Sequence, residues 1–158
     1  MSTVGTNRTL PWSWYTDEAA LGLERERIFR RSWQYVGRTD EVAEPGSFAA
    51  TRAGHVPVVL VRDEESTLRA FLNVCRHRGS IVCEGSGKRA TLQCPYHAWT
   101  YGLDGRLVSA PRAAREGGIE TDELGLVQLR VETWGPFVFV NPDPDAGPLA
   151  ELLDDIPE

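Results

Sequence analysis

The sequence predicts a mostly β fold, an antiparallel sandwich or barrel, preceded by one N-terminal helix. After residue 32 the chain consists of short segments rich in β-branched and aromatic residues, separated by Gly, Pro, Asn, Asp and Ser. Many short strands with frequent turn signals are typical of antiparallel sheets. The 158 residues, 41% hydrophobic and 25% charged, suit one soluble globular domain with a substantial core.

The N-terminal helix is predicted over residues 16–32. Thr16 is the expected N-cap, and Asp17 and Glu18 suit the positive end of the helix dipole. Apolar residues such as Leu21 and Ile28 recur at helical spacing, and three arginines lie near the negative end.

Eight strands are predicted in chain order, and Leu92 leads into a further loop. They span residues 33–37, 47–51, 56–62, 68–73, 99–101, 106–108, 127–133 and 137–140. Residues 102–105 are a predicted hairpin turn, whereas the Gly-rich residues 85–88 are expected to form a flexible turn without phosphate-loop spacing. Residues 142–148, rich in Pro and Asp, predict a linker, and 149–155 one or two helical turns.

Composition and charge exclude several classes of partner. The formal net charge of −6 argues against binding to nucleic acid or an anionic membrane surface. No apolar run approaches the ~18 residues of a membrane span, and residues 1–14 lack the apolar core of a signal peptide. The three cysteines cannot form a disulfide framework if two are metal ligands, so a cytoplasmic location is expected, with Cys83 as a small buried apolar residue.

Two short segments carry metal-binding chemistry. Cys75 and His77 form a C-x-H unit, Cys94 and His97 form a C-x-x-H unit, and sixteen residues separate the two units. In a Rieske 2Fe-2S centre, two Cys hold one iron and two His hold the other. Because each segment offers one ligand of each type, we predict Cys75 and Cys94 on the first iron and His77 and His97 on the second.

A zinc-binding interaction module is an alternative for the same four residues. Zinc accepts Cys2His2 ligands, but zinc fingers usually pair Cys with Cys and His with His, and C-x-H is a tight spacing for one tetrahedral ion. Visible absorbance separates the two interpretations, because an iron-sulfur protein is coloured and a zinc protein is not.

Several motifs together resemble one family. They occur at residues 33–38, 73–79, 94–97, 104–105 and 135–141. They are similar to the N-terminal part of the large (α) subunit of Rieske non-heme iron oxygenases, the aromatic-ring-hydroxylating systems. The resemblance implies a Rieske-type β-sandwich or barrel with two cluster-binding hairpin loops. Ala98 departs from the family pattern, which often has Gly there, and this bears on how tightly the second loop closes.

The resemblance also implies a division of the chain and a function. Residues 1–32 would be a leader with its helix, 33–141 the Rieske domain, and 142–158 a linker toward a catalytic domain absent from this chain. The domain would relay electrons from a reductase or ferredoxin to a mononuclear Fe(II) in the parent oxygenase, in the same or a neighbouring subunit, during aromatic hydrocarbon catabolism.

The histidine count limits what this chain can catalyse by itself. A 2-His-1-carboxylate iron site needs two histidines. Only His55 remains beyond the two predicted cluster ligands. We therefore expect an oxidoreductase component that carries electrons, with no catalytic residue of its own.

Two other Rieske classes are alternatives to the oxygenase. A stand-alone Rieske ferredoxin would be a shorter chain without a helical leader. The Rieske subunit of a cytochrome bc-type complex carries a membrane anchor and a second Cys in each loop, where this chain has Ser80 and Tyr96. In high-potential Rieske proteins hydroxyl donors stand five and seven residues after the second-loop Cys. Here these are Trp99, expected to pack, and Tyr101, expected to hydrogen-bond the cluster, so a low potential is predicted.

Overall fold

The computed structural model describes residues 9–111, 123–154 and 156, and it is built mainly from antiparallel strands. Residues 1–8 of the predicted leader and residues 155, 157 and 158 of the predicted linker lie outside the described residues. The strands are β1 Gln34–Arg38, β2 Ser47–Ala53, β3 Val56–Arg62, β4 Leu68–Leu72, β5 Ser86–Lys88, β6 Leu92–Gln93, β7 Thr100–Tyr101, β8 Leu107–Ser109, β9 Gln128–Trp134 and β10 Phe137–Asn141. The predicted mostly β, antiparallel class is confirmed.

The strands form two sheets. The larger, seven-stranded sheet has the order β1-β10-β9-β4-β3-β2-β5, and the smaller has the order β6-β7-β8. In the larger sheet β3 lies between β2 and β4 and has apolar residues on both faces. Val58 and Leu60 join one buried cluster, and Val59 and Val61 join the other. This two-sided burial explains why residues 56–61 form a nearly continuous apolar run and do not alternate with polar residues.

The second of these clusters connects the two sheets. Val59 and Val61 pack there with Leu92 of the smaller sheet and with the buried Cys75 and Cys94. The smaller sheet is therefore fixed on the larger one by apolar contacts, and the two predicted cysteine ligands lie at that junction.

The helices are short. They are the 3-10 turns Trp12–Tyr15 and Thr39–Val42, helix α1 Glu18–Glu24 continued by a π-helical turn Arg25–Phe29, and helix α2 Leu149–Leu153. The N-terminal helix is confirmed, but the predicted cap is wrong. The Asp17 carboxylate accepts a hydrogen bond from the Ala19 amide at 2.8 Å, whereas the Thr16 hydroxyl donates to the Ser13 carbonyl at 3.4 Å. Helical geometry also ends at Phe29, before the predicted residue 32.

The prediction of a flexible turn at residues 85–88 is also wrong, because residues 86–88 form the edge strand β5. Phe48 of β2 lies opposite Gly87. A Cβ atom at Gly87 would lie 3.3 Å from the Phe48 ring, so glycine allows the two strands to approach closely. The same residues that favour a turn in the sequence therefore serve as a strand beside a bulky ring.

The segment after β10 lies against the sheet. The Trp33 indole donates to the Gly147 carbonyl at 2.9 Å, and the Leu149 amide donates to the Glu132 carboxylate at 2.8 Å. Leu149 is buried. The division of the chain at residues 32 and 141 stays a prediction. No helix in the described part of the chain is long and apolar enough to cross a bilayer.

Candidate metal centre

The first ligand loop follows β4 and closes through hydrogen bonds of one cysteine. The Cys75 carbonyl accepts from the Gly79 amide at 3.0 Å, and the Cys75 amide donates to the Ser80 carbonyl at 2.7 Å. An isolated antiparallel bridge between Val74 and Ile81 closes its base. Gly79 has φ +72°, a conformation that glycine adopts without strain.

The second ligand loop has the same backbone frame. The Cys94 carbonyl accepts from the Ala98 amide at 3.0 Å, and the Cys94 amide donates to the Trp99 carbonyl at 2.8 Å. Ala98 occupies the position equivalent to Gly79, with φ +59°. An L-residue there carries a strain of about 1–2 kcal/mol. Alanine in place of glycine therefore leaves the closing hydrogen bonds intact, and its effect is conformational strain in the backbone at residue 98.

The frame brings the four predicted ligands to one end of the molecule. Cys75 and Cys94 are buried, with 3% and 2% of their surface exposed. His77 and His97 are half-buried, and their ring centroids lie 4.8 Å apart. The site thus has a buried thiol side and a more exposed imidazole side. In the described part of the chain no three His, Cys, Asp or Glu side chains converge on a single ion position, and a Rieske cluster draws only two protein ligands to each iron.

The second loop supports a histidine of the first. Trp99, from the second loop, stacks on His77 of the first, with a centroid distance of 4.7 Å and an interplanar angle of 5°. Trp99 is buried, as predicted for a packing residue. Its indole Nε1 is also buried, without an acceptor among the described residues. A buried N–H of this kind is costly unless an acceptor is supplied.

Tyr101 forms the second connection between the loops. Its hydroxyl lies 3.2 Å from the Cys75 Sγ and accepts a hydrogen bond from the Arg76 amide at 3.1 Å. Because the Arg76 amide occupies an acceptor position, the phenolic hydrogen is available for the sulfur. Burial, together with the Cys75 contact, raises the pKa of Tyr101 above its ordinary value, so the phenol keeps its proton. The hydrogen bond predicted for Tyr101 is therefore directed at the first-loop cysteine.

The remaining cysteine and histidine lie outside the ligand set. Cys83 is buried, as expected of a small apolar residue, and burial raises the pKa of its thiol. All three cysteines are free of disulfide bonds. His55 lies in the turn between β2 and β3, where its Nε2 is 3.5 Å from the Arg30 Nε.

The hydrogen bonds of one residue in the 73–79 motif were not predicted from the sequence. Asn73 is buried at the end of β4, and its side chain makes three hydrogen bonds to residues 82 and 83. An Asn directly after an apolar strand and two residues before a predicted cysteine ligand is the signal that could have drawn attention to it.

Comparison with known proteins gives the class. Residues 32–134 match the Rieske [2Fe-2S] domain family, which is more than half of the chain. The chain therefore belongs to this family, and its cofactor is a Rieske 2Fe-2S cluster. The residues fit such a group, with two buried thiols, two imidazoles close together, a phenol directed at a sulfur and an indole N–H that lacks an acceptor. Membership of this family favours an iron-sulfur cluster over a zinc ion at this site.

The relatives are α subunits of Rieske oxygenases. Chloroplastic choline monooxygenase of Spinacia oleracea is 46% identical over 135 residues, which cover 85% of this chain and 31% of that protein. The quaternary ammonium Rieske monooxygenase CntA, solved with its substrate gamma-butyrobetaine, superposes with a TM-score of 0.86 at 36% identity, covering 94% of this chain and 43% of CntA. Naphthalene 1,2-dioxygenase bound to phenanthrene gives 0.83 at 32% identity, covering 90% and 33%. The chain thus spans about a third of the length of its choline monooxygenase relative.

Proposed function

We propose that this chain is the electron-relay domain of a Rieske oxygenase α subunit, with Cys75 and Cys94 on one iron and His77 and His97 on the other. The observation that carries this proposal is the pair of loops with one backbone frame, which brings two thiols and two imidazoles to the same end of the fold. The cofactor supplies one-electron transfer chemistry.

The asymmetry of the site indicates which side of it a redox partner can approach. The thiols are buried, whereas the two imidazoles are half-buried and Tyr96, beside His97 at a centroid distance of 3.8 Å, is exposed. A partner that docks on this end therefore meets the histidine side first. We propose that a reductase or ferredoxin delivers electrons here and that a mononuclear Fe(II) in a catalytic domain receives them.

The acceptor in a neighbouring subunit is part of the same proposal. The structure of a quaternary ammonium Rieske monooxygenase that is 36% identical to this chain reveals insights into inter-subunit electron transfer in that enzyme. A site at the tips of two surface loops suits an acceptor on another subunit, since no part of the described domain needs to move for the histidine side to be approached.

The relatives favour quaternary ammonium substrates for the parent enzyme over the aromatic hydrocarbons expected from the resemblance. The choline monooxygenase is 46% identical to this chain, against 32% for naphthalene 1,2-dioxygenase. Oxygen uptake by a full-length α subunit that includes this domain, compared between choline and naphthalene, tests the substrate class. We keep the cytoplasm as the proposed location, although the spinach relative is chloroplastic.

The ligand set is tested by electron paramagnetic resonance of the reduced protein. His77→Ala and His97→Ala should each abolish the Rieske signal, because each removes a ligand of the same iron. His55→Ala is the matched control, since it removes the third histidine and should leave the signal intact. An unchanged Rieske signal in either ligand variant contradicts the assignment.

A further inference from the structure

The buried side chain of Asn73 is bonded entirely to the far end of the first ligand loop. Its Nδ2 donates to the Cys83 carbonyl at 2.8 Å. Its Oδ1 accepts from the Val82 amide at 3.2 Å and from the Cys83 amide at 3.0 Å. Only 3% of Asn73 is exposed, and its own amide donates to the Pro57 carbonyl of β3 at 3.0 Å. Asn73 therefore connects the sheet to the chain that returns from the loop.

These hydrogen bonds close the loop where strand pairing is lacking. The second loop lies between β6 and β7, which pair Leu92 with Tyr101 and Gln93 with Thr100. The first loop has a single bridge between Val74 and Ile81 at its base. A side-chain amide offers a donor and an acceptor, as a peptide group does. The Asn73 side chain thus takes the place of a further pair in the ladder.

The anchored residues also contact the other half of the site. Val82 and Cys83 lie in the same buried cluster as Leu92 and Cys94, which lead into and begin the second loop. By holding residues 82 and 83, Asn73 sets the position of the first loop relative to the second. The cluster draws one Cys and one His from each loop in the proposed function, so it depends on this relative position.

We propose that Asn73 is a positioning residue that keeps the first ligand loop in register with the second, and so determines how tightly the cluster is retained and what electronic environment it has. This inference rests on the proposed ligand set. The Asn73 side chain directs its hydrogen bonds to the backbone of residues 82 and 83, and Asn73 acts on the cluster through them.

The test compares Asn73→Ala with Asn141→Ala in the cluster-loaded protein. Asn141 is a matched control because it is also a buried Asn at a strand end, and its side chain accepts from the Asp143 amide at 3.0 Å, on a turn outside the ligand loops. We expect Asn73→Ala to accelerate iron release to a chelator about tenfold or more, because several buried hydrogen bonds that oppose local opening are lost. The g-values and the midpoint potential should also shift, whereas Asn141→Ala should change none of these.

Asn73→Asp covers the case in which the alanine variant does not fold. The aspartate keeps the acceptor for the Val82 and Cys83 amides, loses the donor to the Cys83 carbonyl, and should also accelerate iron release. In the cluster-loaded protein, amide exchange at residues 82 and 83 should be faster in Asn73→Ala than in wild type, which measures the anchoring of these two residues separately from iron release.

The outcomes separate the two proposals. A wild-type protein that takes up no 2Fe-2S cluster overturns the proposed function. A loaded wild type, together with Asn73 variants that release iron at the wild-type rate and give its spectrum, overturns the positioning role alone. The role is also overturned if Asn141→Ala accelerates release and shifts the spectrum as strongly as Asn73→Ala.

Discussion

The contact between Tyr101 and Cys75 gives a quantitative prediction for the redox potential. Tyr101→Phe removes the hydroxyl that lies 3.2 Å from the Cys75 Sγ and leaves the ring in place among its apolar neighbours. In the proposed site this sulfur is a ligand of the cluster. Reduction adds negative charge to the cluster, so a donor to the sulfur stabilises the reduced form more than the oxidised form. The variant should therefore have a lower midpoint potential.

The size of the shift follows from the strength of one hydrogen bond. A hydrogen bond contributes about 0.5–1.5 kcal/mol net, and one to a charged group about 1.5–3 kcal/mol. If the bond gains about 1–1.5 kcal/mol on reduction, the potential falls by roughly 40–65 mV, since 1.4 kcal/mol corresponds to about 59 mV for one electron. We expect the wild-type midpoint below about 0 mV, in the lower part of the Rieske range, because a single phenol is the hydroxyl donor directed at a ligand sulfur in the described part of the chain.

Protein-film voltammetry at pH 7 measures both values. Tyr96→Phe is the matched control, because it also removes a phenol from a ligand loop, but Tyr96 is 59% exposed and lies beside His97 and not beside a sulfur. Its midpoint should stay within about 15 mV of wild type. An unchanged or raised potential in Tyr101→Phe would refute the hydrogen-bond reasoning, and a wild-type midpoint above about +150 mV would favour a bc-type site.

Two further predictions concern stability. Ala98→Gly should raise the free energy of unfolding by about 0.5–1 kcal/mol in urea titrations, because it relieves the strain at φ +59° while adding some unfolded-state entropy. Gly79→Ala should lower the free energy of unfolding by about 1–2 kcal/mol through backbone strain alone, because an added Cβ meets nothing within 4 Å. Changes of the same sign in Ala98→Gly and Gly79→Ala would contradict the strain argument. Asp63→Asn should lower it by about 2 kcal/mol at pH 7, because this buried carboxylate accepts hydrogen bonds from Arg69 and from the amides of Thr67 and Glu65. Burial alone would raise the pKa of Asp63, but these bonds hold the pKa below its ordinary value. The contribution of Asp63 to stability is therefore present above the unfolded-state pKa and is lost as the pH falls through the folded-state pKa. A difference in unfolding free energy between Asp63→Asn and wild type that is as large at pH 2 as at pH 7 would refute this.

The sequence predicted best those features that depend on local pattern. The boundaries of β3 follow from its apolar run, and the 2Fe-2S cofactor from the two Cys-His units, whereas the assignment of the four ligands stays a prediction. Counting from Cys94 also placed a phenol at residue 101 within reach of the sulfur of a predicted ligand, although that sulfur belongs to Cys75, on the other loop. The sequence order of the motifs does not say which loop supports which, because that depends on how the two sheets pack.

The errors arose where distant contacts override local preference. Gly87 has a low strand propensity, but the ring of Phe48 on the neighbouring strand leaves little room for a side chain at that position. The wrong helix cap has a different origin, because Asp is a stronger N-cap than Thr and local propensity already favoured Asp17 over Thr16. Asn73 is polar at the end of a strand, and nothing local indicates that its partners are nine and ten residues away.

The shared frame of the two ligand loops restricts how their lengths can evolve. In each loop the cysteine binds backbone groups four and five positions further along the chain. Inserting or deleting one residue between Cys75 and Ser80, or between Cys94 and Trp99, would break both hydrogen bonds and displace the histidine. Length variation among homologues should therefore be confined to the connections outside these two six-residue units. Each unit can be exchanged as a whole between related proteins, but its number of residues cannot change.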